Sequence, residues 1–367
     1  MEKKNLLYFL LLLMFACASP KTEIPVLDVE KAMTNPVDFD LAEYIDEIKY
    51  VKLETRPDCL VGNIGHILNV NNEYYLTNSN KISKFSSTGR FIRQIGQQGR
   101  GPAELGFISD MSYNKVKNEL YISDYDEIVK YDTCGNFIKR DKLDATSRIS
   151  TFKINEKGYC FFKMPHAPKE KIAVNVYDEN LSLLKTFNNT IVRNKGIGIQ
   201  AHMAQYNKKI YYNSLINDTI FSIDDNLSSK AEMILDYGKF KIPNNEIECN
   251  TQGFKKGYQT FFFYVGDNVS LFVLFKNLKC KGYFIYFNSQ KRIVHPKNIS
   301  KDIFMGVLID GLEWEVKDFC NGNMILSIQP MELLDNMDKI KDPELLKMCK
   351  NLKEEDNVIL ASVHIKG

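Results

Sequence analysis

A hairpin phrase that returns at a constant stride constrains this chain more than any other feature. The phrase is a short β-branched or aromatic strand, a polar turn and a second short strand. It first runs Ile82-Ser83-Lys84-Phe85-Ser86-Ser87-Thr88-Gly89-Arg90-Phe91-Ile92 and returns in residues 128–138, with looser copies in 174–184, 220–227 and 283–293. The residues before the turns are Phe85, Tyr131, Tyr177 and Ile223, three successive intervals of 46 residues, and Phe287 follows after 64 more. A stride in the forties, filled with short strands and frequent turns, is the mark of four-stranded propeller blades.

Other strand segments fall at matching offsets. Residues 73–77, 119–123 and 209–213 precede hairpins, and apolar stretches 64–70, 107–113 and 149–154 supply candidate innermost strands. Five markers give five blades. The chain's end gives a sixth, from strands at 312–319, 323–328 and 358–365, with residues 49–54 near the N-terminus as its fourth strand. Pairing first and last strands in one blade closes the ring and hides its edges. The expectation is an all-β chain: a six-bladed β-propeller of four-stranded antiparallel blades over residues 46–367. Seven blades or an open sandwich are the rival readings. Residues 237–257 read as a long loop. Residues 331–353 have helical spacing, with Asp342 as the cap before Pro343, and read as an insert projecting from the last blade.

The N-terminus carries a different signal. Lys3 and Lys4 precede an uncharged run from Leu6 to Phe15, and Ala16-Cys17-Ala18-Ser19 follows. That is the order of a secretory signal peptide, and the run is about half the length a bilayer-spanning helix needs. Met14-Phe15-Ala16-Cys17 resembles a bacterial lipobox, with Phe15 where a small residue is usual. The resemblance implies cleavage after residue 16, acylation of Cys17 and membrane attachment through lipid alone. Residues 17–45 then read as a tether and lead-in segment with little core of its own. Removing Glu2, Lys3 and Lys4 lowers the formal charge from +2 to about +1, which with no basic stripe argues against nucleic acid as a partner.

The blade text resembles NHL-type and TolB-like propeller repeats, in its Tyr-Ile-Ser-Asp strand at 121–124 and its Val-x-Tyr-Asp at 129–132. Nearly the whole chain resembles the six-bladed β-propeller lipoproteins of Bacteroidota. The phrases that carry this are Val51-Lys52-Leu53-Glu54-Thr55, Cys59-Leu60-Val61-Gly62 and the run 88–96 leading into Gly99-Arg100-Gly101-Pro102-Ala103-Glu104. The resemblance implies an exported outer-membrane lipoprotein, facing the periplasm or the surface.

Motifs for chemistry are sparse. Gly96-Gln97-Gln98-Gly99-Arg100-Gly101-Pro102 has glycines like a phosphate loop, but Pro102 denies it the following helix, so it reads as an inter-blade loop. The five histidines, His66, His166, His202, His295 and His364, lack metal-ligand spacing, and no cofactor or metal is expected. Beyond Cys17, seven cysteines (59, 134, 160, 249, 280, 320 and 349) stand singly, which is neither a zinc pattern nor a disulfide framework; one or two bridges stay open. No nucleophile elbow appears, so no catalytic residue is assigned.

The candidate ligand face therefore rests on loop chemistry. Asn78, Asn80, Asp124 and Asp126 lie in turns between second and third strands, Arg100 and Glu104 in an inter-blade loop, and His166 and His202 near loop or inner-strand positions. Asn and Asp are also plain turn formers. The function expected is a non-enzymatic propeller binding a glycan, peptide or envelope protein through one face. The alternative is a hydrolase or lyase with carboxylates and histidine in a central funnel, which two such groups converging on the axis would favour.

Overall fold

The computed structural model describes residues 23–366, apart from 79, 144–148, 164–168, 191, 193–201, 214–217, 244–256, 277–278, 298–305 and 321. The 46-residue stride is visible in the backbone as one turn used four times. Gly89 and Gly135 take positive φ of 80° and 87°, and Leu181 and Leu227 occupy the equivalent positions at 62° and 56°. Each N–H at that position returns to the carbonyl three residues earlier, on Ser86, Asp132, Asp178 or Asp224. The side chains of those same four residues accept from main-chain N–H groups further round the turn. Glycine suits this left-handed position, and the two leucines adopt it because hydrogen bonds and packing hold the rest of the turn.

Six sheets surround an axis. Blade 1 consists of Ile67–Val70, Glu73–Asn78, Lys81–Phe85 and Phe91–Ile95; blade 2 of Ile108–Asn114, Glu119–Asp124, Glu127–Asp132 and Phe137–Lys142. Blade 3 is Thr151–Ile154, Cys160–Lys163, Ile172–Tyr177 and Leu183–Asn188. Blade 4 is Met203–Tyr206, Lys209–Asn213, Thr219–Ile223 and Ser229–Asp236, and blade 5 is Gln259–Val265, Val269–Lys276, Lys279–Phe287 and Arg292–Val294. In blade 6 the inner strand Leu312–Cys320 is followed by Asn323–Ile328 and Ile359–Ile365. Its outer strand is N-terminal: Ile45–Lys52 pairs antiparallel with Ile359–Ile365, from Lys52 opposite Ile359 to Ile45 opposite Ile365. The ring closes as the sequence argument requires. An extra short strand, Gly306–Ile309, pairs with the first half of the inner strand.

Two segments differ from their sequence reading. Residues 23–44 do not hang as a tether. Val26–Asp28 adds a parallel strand to the outer edge of blade 4, and helix α1 (Val29–Thr34) follows. Val37 then bridges to Pro296 beyond blade 5, before Ile45 joins blade 6. Leu27, Val29, Phe39 and Leu41 are buried by this path, and that burial is what turns the lead-in into a strap across three blades. The C-terminal insert forms helix α2 (Pro330–Asp335) and helix α3 (Pro343–Cys349), with Asp342 capping α3 through the N–H groups of Glu344 and Leu345. It does not project. Leu333, Ile340 and Leu345 join the core of blades 5 and 6 beside Tyr50 and Trp314.

The core is partitioned between neighbouring blades rather than pooled at a centre. Each of the six junctions has its own apolar cluster, such as Tyr75, Ile82, Ile95, Leu120 and Val129 between blades 1 and 2. Each large side chain so buried contributes roughly 1.5–3 kcal/mol. The axis is left to whatever the inner strands point at it. The six described cysteines are free thiols. No helix of the described residues is long and apolar enough to cross a membrane.

Candidate functional site: an axial channel with a polar waist

All inner strands run in the same direction along the axis. Their first residues line a cavity of about 300 Å³, and their last residues line a second of about 680 Å³. Lys153, His202, Tyr264 and Asp318, from blades 3 to 6, line both and form the waist between them. His66 and Asp110, from blades 1 and 2, stand in the first cavity, so every blade places at least one hydrogen-bonding side chain in the channel. The reason is strand periodicity: alternate residues of an inner strand face the axis while their neighbours enter the junctions.

Blades 1 to 3 form a connected network. The Asp110 carboxylate accepts from the hydroxyl of Thr151, from the Phe152 N–H at 3.0 Å and from the Met111 N–H at 2.8 Å. His66 Nδ1 lies 3.5 Å and Lys153 Nζ 3.7 Å from Asp110 Oδ1. Burial alone would raise the Asp110 carboxyl, but Lys153, His66 and these hydrogen bonds hold it below its usual range. Burial likewise opposes charge on Lys153, and Asp110 with Asp318 reverses this and raises it. His66 is lowered by burial against the pull of Asp110.

Blades 4 to 6 are different. His202 Nδ1 is buried with no hydrogen-bond partner among the described residues, and its ring stands 5.4, 5.7 and 5.4 Å from those of Phe262, Phe263 and Tyr264. Burial, with Lys153 nearby, pushes its pKa down to about 3, so the ring is neutral. Asp318 accepts the N–H of Phe319 at 2.8 Å and forms no ion pair among the described residues. Burial lifts its carboxyl to about 6 against the opposing charge of Lys153. Lys317 beside it is engaged, with Glu315 at 2.6 Å and the carbonyl of Ile64 at 3.0 Å.

Inner strands run away from the first cavity and second strands return. The second-to-third-strand turns and the inter-blade loops therefore share its face. Asn78, Asn80, Asp124, Asp126, Arg100 and Glu104 all lie on that face. Asn78 donates to the carbonyl of Val61, and Asn80 to that of Gly106 at 3.3 Å. Asp124 accepts from the N–H groups of Gly106 and Phe107 at 3.1 and 2.7 Å and pairs with Arg140 at 3.0 Å. Glu104 accepts from the Gly101 N–H at 2.8 Å and from Gln97 at 3.0 Å. The first three tie inter-blade loops to turns, Glu104 braces its own loop, and together they frame the mouth. Arg100 and Asp126 are exposed on the rim. Cys17 and His166 lie outside the described residues. Of the seven ligand-face residues that are described, His202 is the one that reaches the channel.

The mouth also carries two aromatic rings. Phe107 and Tyr125 are 51% and 65% exposed with centroids 5.9 Å apart, and Phe107 lines the first cavity. Gly106 permits this, because a Cβ there would come within 2.8 Å of the Tyr125 ring. No group of three or more His, Cys, Asp or Glu among the described residues is placed to hold a metal.

Sequence reasoning missed Asp110, Lys153, Tyr264 and Asp318, and passed over His66 as isolated. One signal was available. His66, Asp110 and Lys153 interrupt apolar inner strands at intervals of 44 and 43 residues, close to the blade stride.

The comparisons agree with this architecture. Residues 24–364 match the family model described as a domain of unknown function, DUF4934. The chain belongs to the DUF4934 family. No curated protein sequence matches it. Among solved structures, this DUF4934 propeller superposes on a Bacteroides fragilis protein provisionally described as exported. The TM-score is 0.73 at 18% identity, covering 94% of this chain and 100% of the other. A member of the DUF4221 family from Bacteroides vulgatus gives a TM-score of 0.54 at 11% identity, with coverages of 88% and 98%. At such identities the likeness is one of fold.

Proposed function

We propose that this DUF4934 propeller is an exported, lipid-anchored, non-enzymatic protein that binds a small polar ligand in its axial channel, entered through the loop-framed mouth. The observation that carries the reading is the waist: a buried imidazole nitrogen and a buried carboxyl line it together, and among the described residues the first has no partner and the second receives a single main-chain hydrogen bond. Buried polar groups are normally satisfied, and a cluster that is not, in a cavity of small-molecule size, is where a ligand supplies the missing partners. The signal sequence and the lipobox at Cys17 support export and anchoring, and the description of the Bacteroides fragilis neighbour supports export.

A thermal-shift screen against oligosaccharides, short peptides and divalent ions tests the channel. The full chain carrying Cys17→Ser, which cannot be acylated, is the material. One ligand class raises Tm, His66→Trp in the entry chamber abolishes the shift, and Arg100→Ala with Asp126→Ala on the rim preserves it. A shift that survives His66→Trp and disappears in the rim variant would move the site off the axis. Anchoring is read separately: Cys17→Ser shifts the protein from the membrane to the soluble fraction.

One observation favours the catalytic alternative. His66 beside Asp110 resembles an oriented base, and Asp318 with a pKa of about 6 is suited to act as an acid. Turnover of a bound oligosaccharide or peptide, lost in both His66→Gln and Asp318→Asn, would establish it. Binding without turnover would leave the first reading standing.

A further inference from the structure

We propose that the waist binds a zwitterion of amino-acid or dipeptide size, its carboxylate against Lys153 and its ammonium against Asp318. This names the ligand class of the axial seat and rests on that reading. Lys153 and Asp318 come from blades 3 and 6 and line both cavities. Each feels the charge of the other, yet they form no ion pair.

Both charges are incompletely compensated, for separate reasons. The nearest acidic oxygen to Lys153 Nζ is 3.7 Å away, on Asp110, and that carboxylate already accepts from Thr151 and two main-chain N–H groups. Among the described residues, Lys153 therefore has an ion-pair partner at 3.7 Å but no acceptor at hydrogen-bond distance. Asp318 has the reverse situation: one N–H donor and, among the described residues, no cation in contact. A ligand with a single charge would satisfy one of the two and leave the other uncompensated in a walled site. A neutral sugar would neutralise neither. A zwitterion completes both, through charge-assisted hydrogen bonds of opposite sense.

The surroundings set size and remaining character. A chamber of about 300 Å³ lies at the small end of ligand pockets and holds one or two residues rather than a chain. Ile64, Phe262 and Val316 give it apolar wall for a side chain. Ser109 and Thr151 stand among its polar groups.

Capping tests the two charges one at a time. Calorimetric titration of the full chain with Cys17→Ser uses L-leucine, L-glutamate, L-lysine and glycylglycine, each beside its N-acetyl and its C-terminal amide form. At least one free zwitterion binds, and each cap weakens it by about tenfold or more. In Lys153→Met the amide binds as well as the acid. In Asp318→Asn the N-acetyl form binds as well as the free amine. These crossed losses are specific, since a merely misfolded variant would lose every ligand alike; unchanged cooperative unfolding identifies usable variants, with Lys153→Gln and Asp318→Ser as replacements. Capped forms that bind as tightly as the parent compounds would overturn the proposal. So would an oligosaccharide or metal ion that binds in the channel when no zwitterion does, although the axial reading would then survive. If nothing in either panel binds, both fall.

Discussion

The two arcs of the axial ring are made of similar residues in opposite states. In blades 1 to 3, Asp110 gathers a hydroxyl, two main-chain N–H groups, an imidazole and an ammonium around one carboxylate held in its ionised form. In blades 4 to 6, Asp318 accepts one hydrogen bond, from the Phe319 N–H, and His202 Nδ1 has no partner among the described residues. The first arc resembles a structural hub; the second resembles a surface waiting for a partner. Composition alone does not separate them, because each has one acid and one histidine. Hydrogen-bond satisfaction separates them, and that makes the comparison testable by substitution.

Asp110→Ala carries the largest expected effect. It leaves the Phe152 N–H and the Thr151 hydroxyl without their acceptor and the buried Lys153 ammonium without its ion-pair partner, a loss of about 3 kcal/mol in chemical denaturation. A loss below about 1 kcal/mol would dissolve the distinction between hub and ligand surface.

Lys163, at the junction of blades 3 and 4, sharpens the comparison. It is buried, donates to the carbonyl of Asn213 at 2.6 Å and lies 5.4 Å from the Tyr212 ring centre, with no carboxylate partner among the described residues. Burial lowers its pKa to about 7. Its folded value lies below its unfolded one, so the penalty is full below pH 7 and fades as pH rises toward 10. Lys163→Met should therefore stabilise by about 2 kcal/mol at pH 6 and progressively less through pH 9, as thermal denaturation across pH would show. By contrast, Lys130 at the preceding junction is buried with Asp141 at 2.9 Å, and Lys130→Met should not stabilise.

Asp318→Asn comes next, with a gain on the order of 1 kcal/mol, discounted for the channel's access to water. The folded carboxyl has a raised pKa of about 6, so the penalty is complete above pH 6 and absent below about pH 4. Tm curves of wild type and variant should meet in acid and separate toward neutrality. Curves that stay parallel would mean that Asp318 is already paired. His202→Phe is the smallest effect at neutral pH. With a folded pKa of about 3, His202 withdraws stability as pH falls below about 6.5. The variant should match wild type within a few tenths of a kcal/mol at pH 8 and exceed it near pH 4.

Much of the ring was legible because it repeats. The turns at Gly89, Gly135, Leu181 and Leu227 share one geometry, and their spacing alone announces four copies of a module. Closure was legible too, since blade 6 lacked an outer strand and residues 49–54 were the available one; the strand that pairs there is Ile45–Lys52. So was the cap at Asp342. The strap over blades 4 to 6 was not legible, because residues 23–44 have no periodicity and their few apolar groups find burial only on edges built some 200 residues later. Nor was the fold-back of the insert, whose apolar stripe reads the same whether it projects or packs.

The site divides along the same line. Sequence determined the number of blades and the face on which the turns gather, because both follow from local pairing and from the alternation of strands. Tertiary structure alone decided that His66, Asp110, Lys153, His202, Tyr264 and Asp318 meet. They come from six separate blades, and each is chemically ordinary within its own strand. It also decided which of them are satisfied, since hydrogen bonding and burial depend on what the neighbouring blade presents across a few ångströms, a relation no single stretch of chain contains.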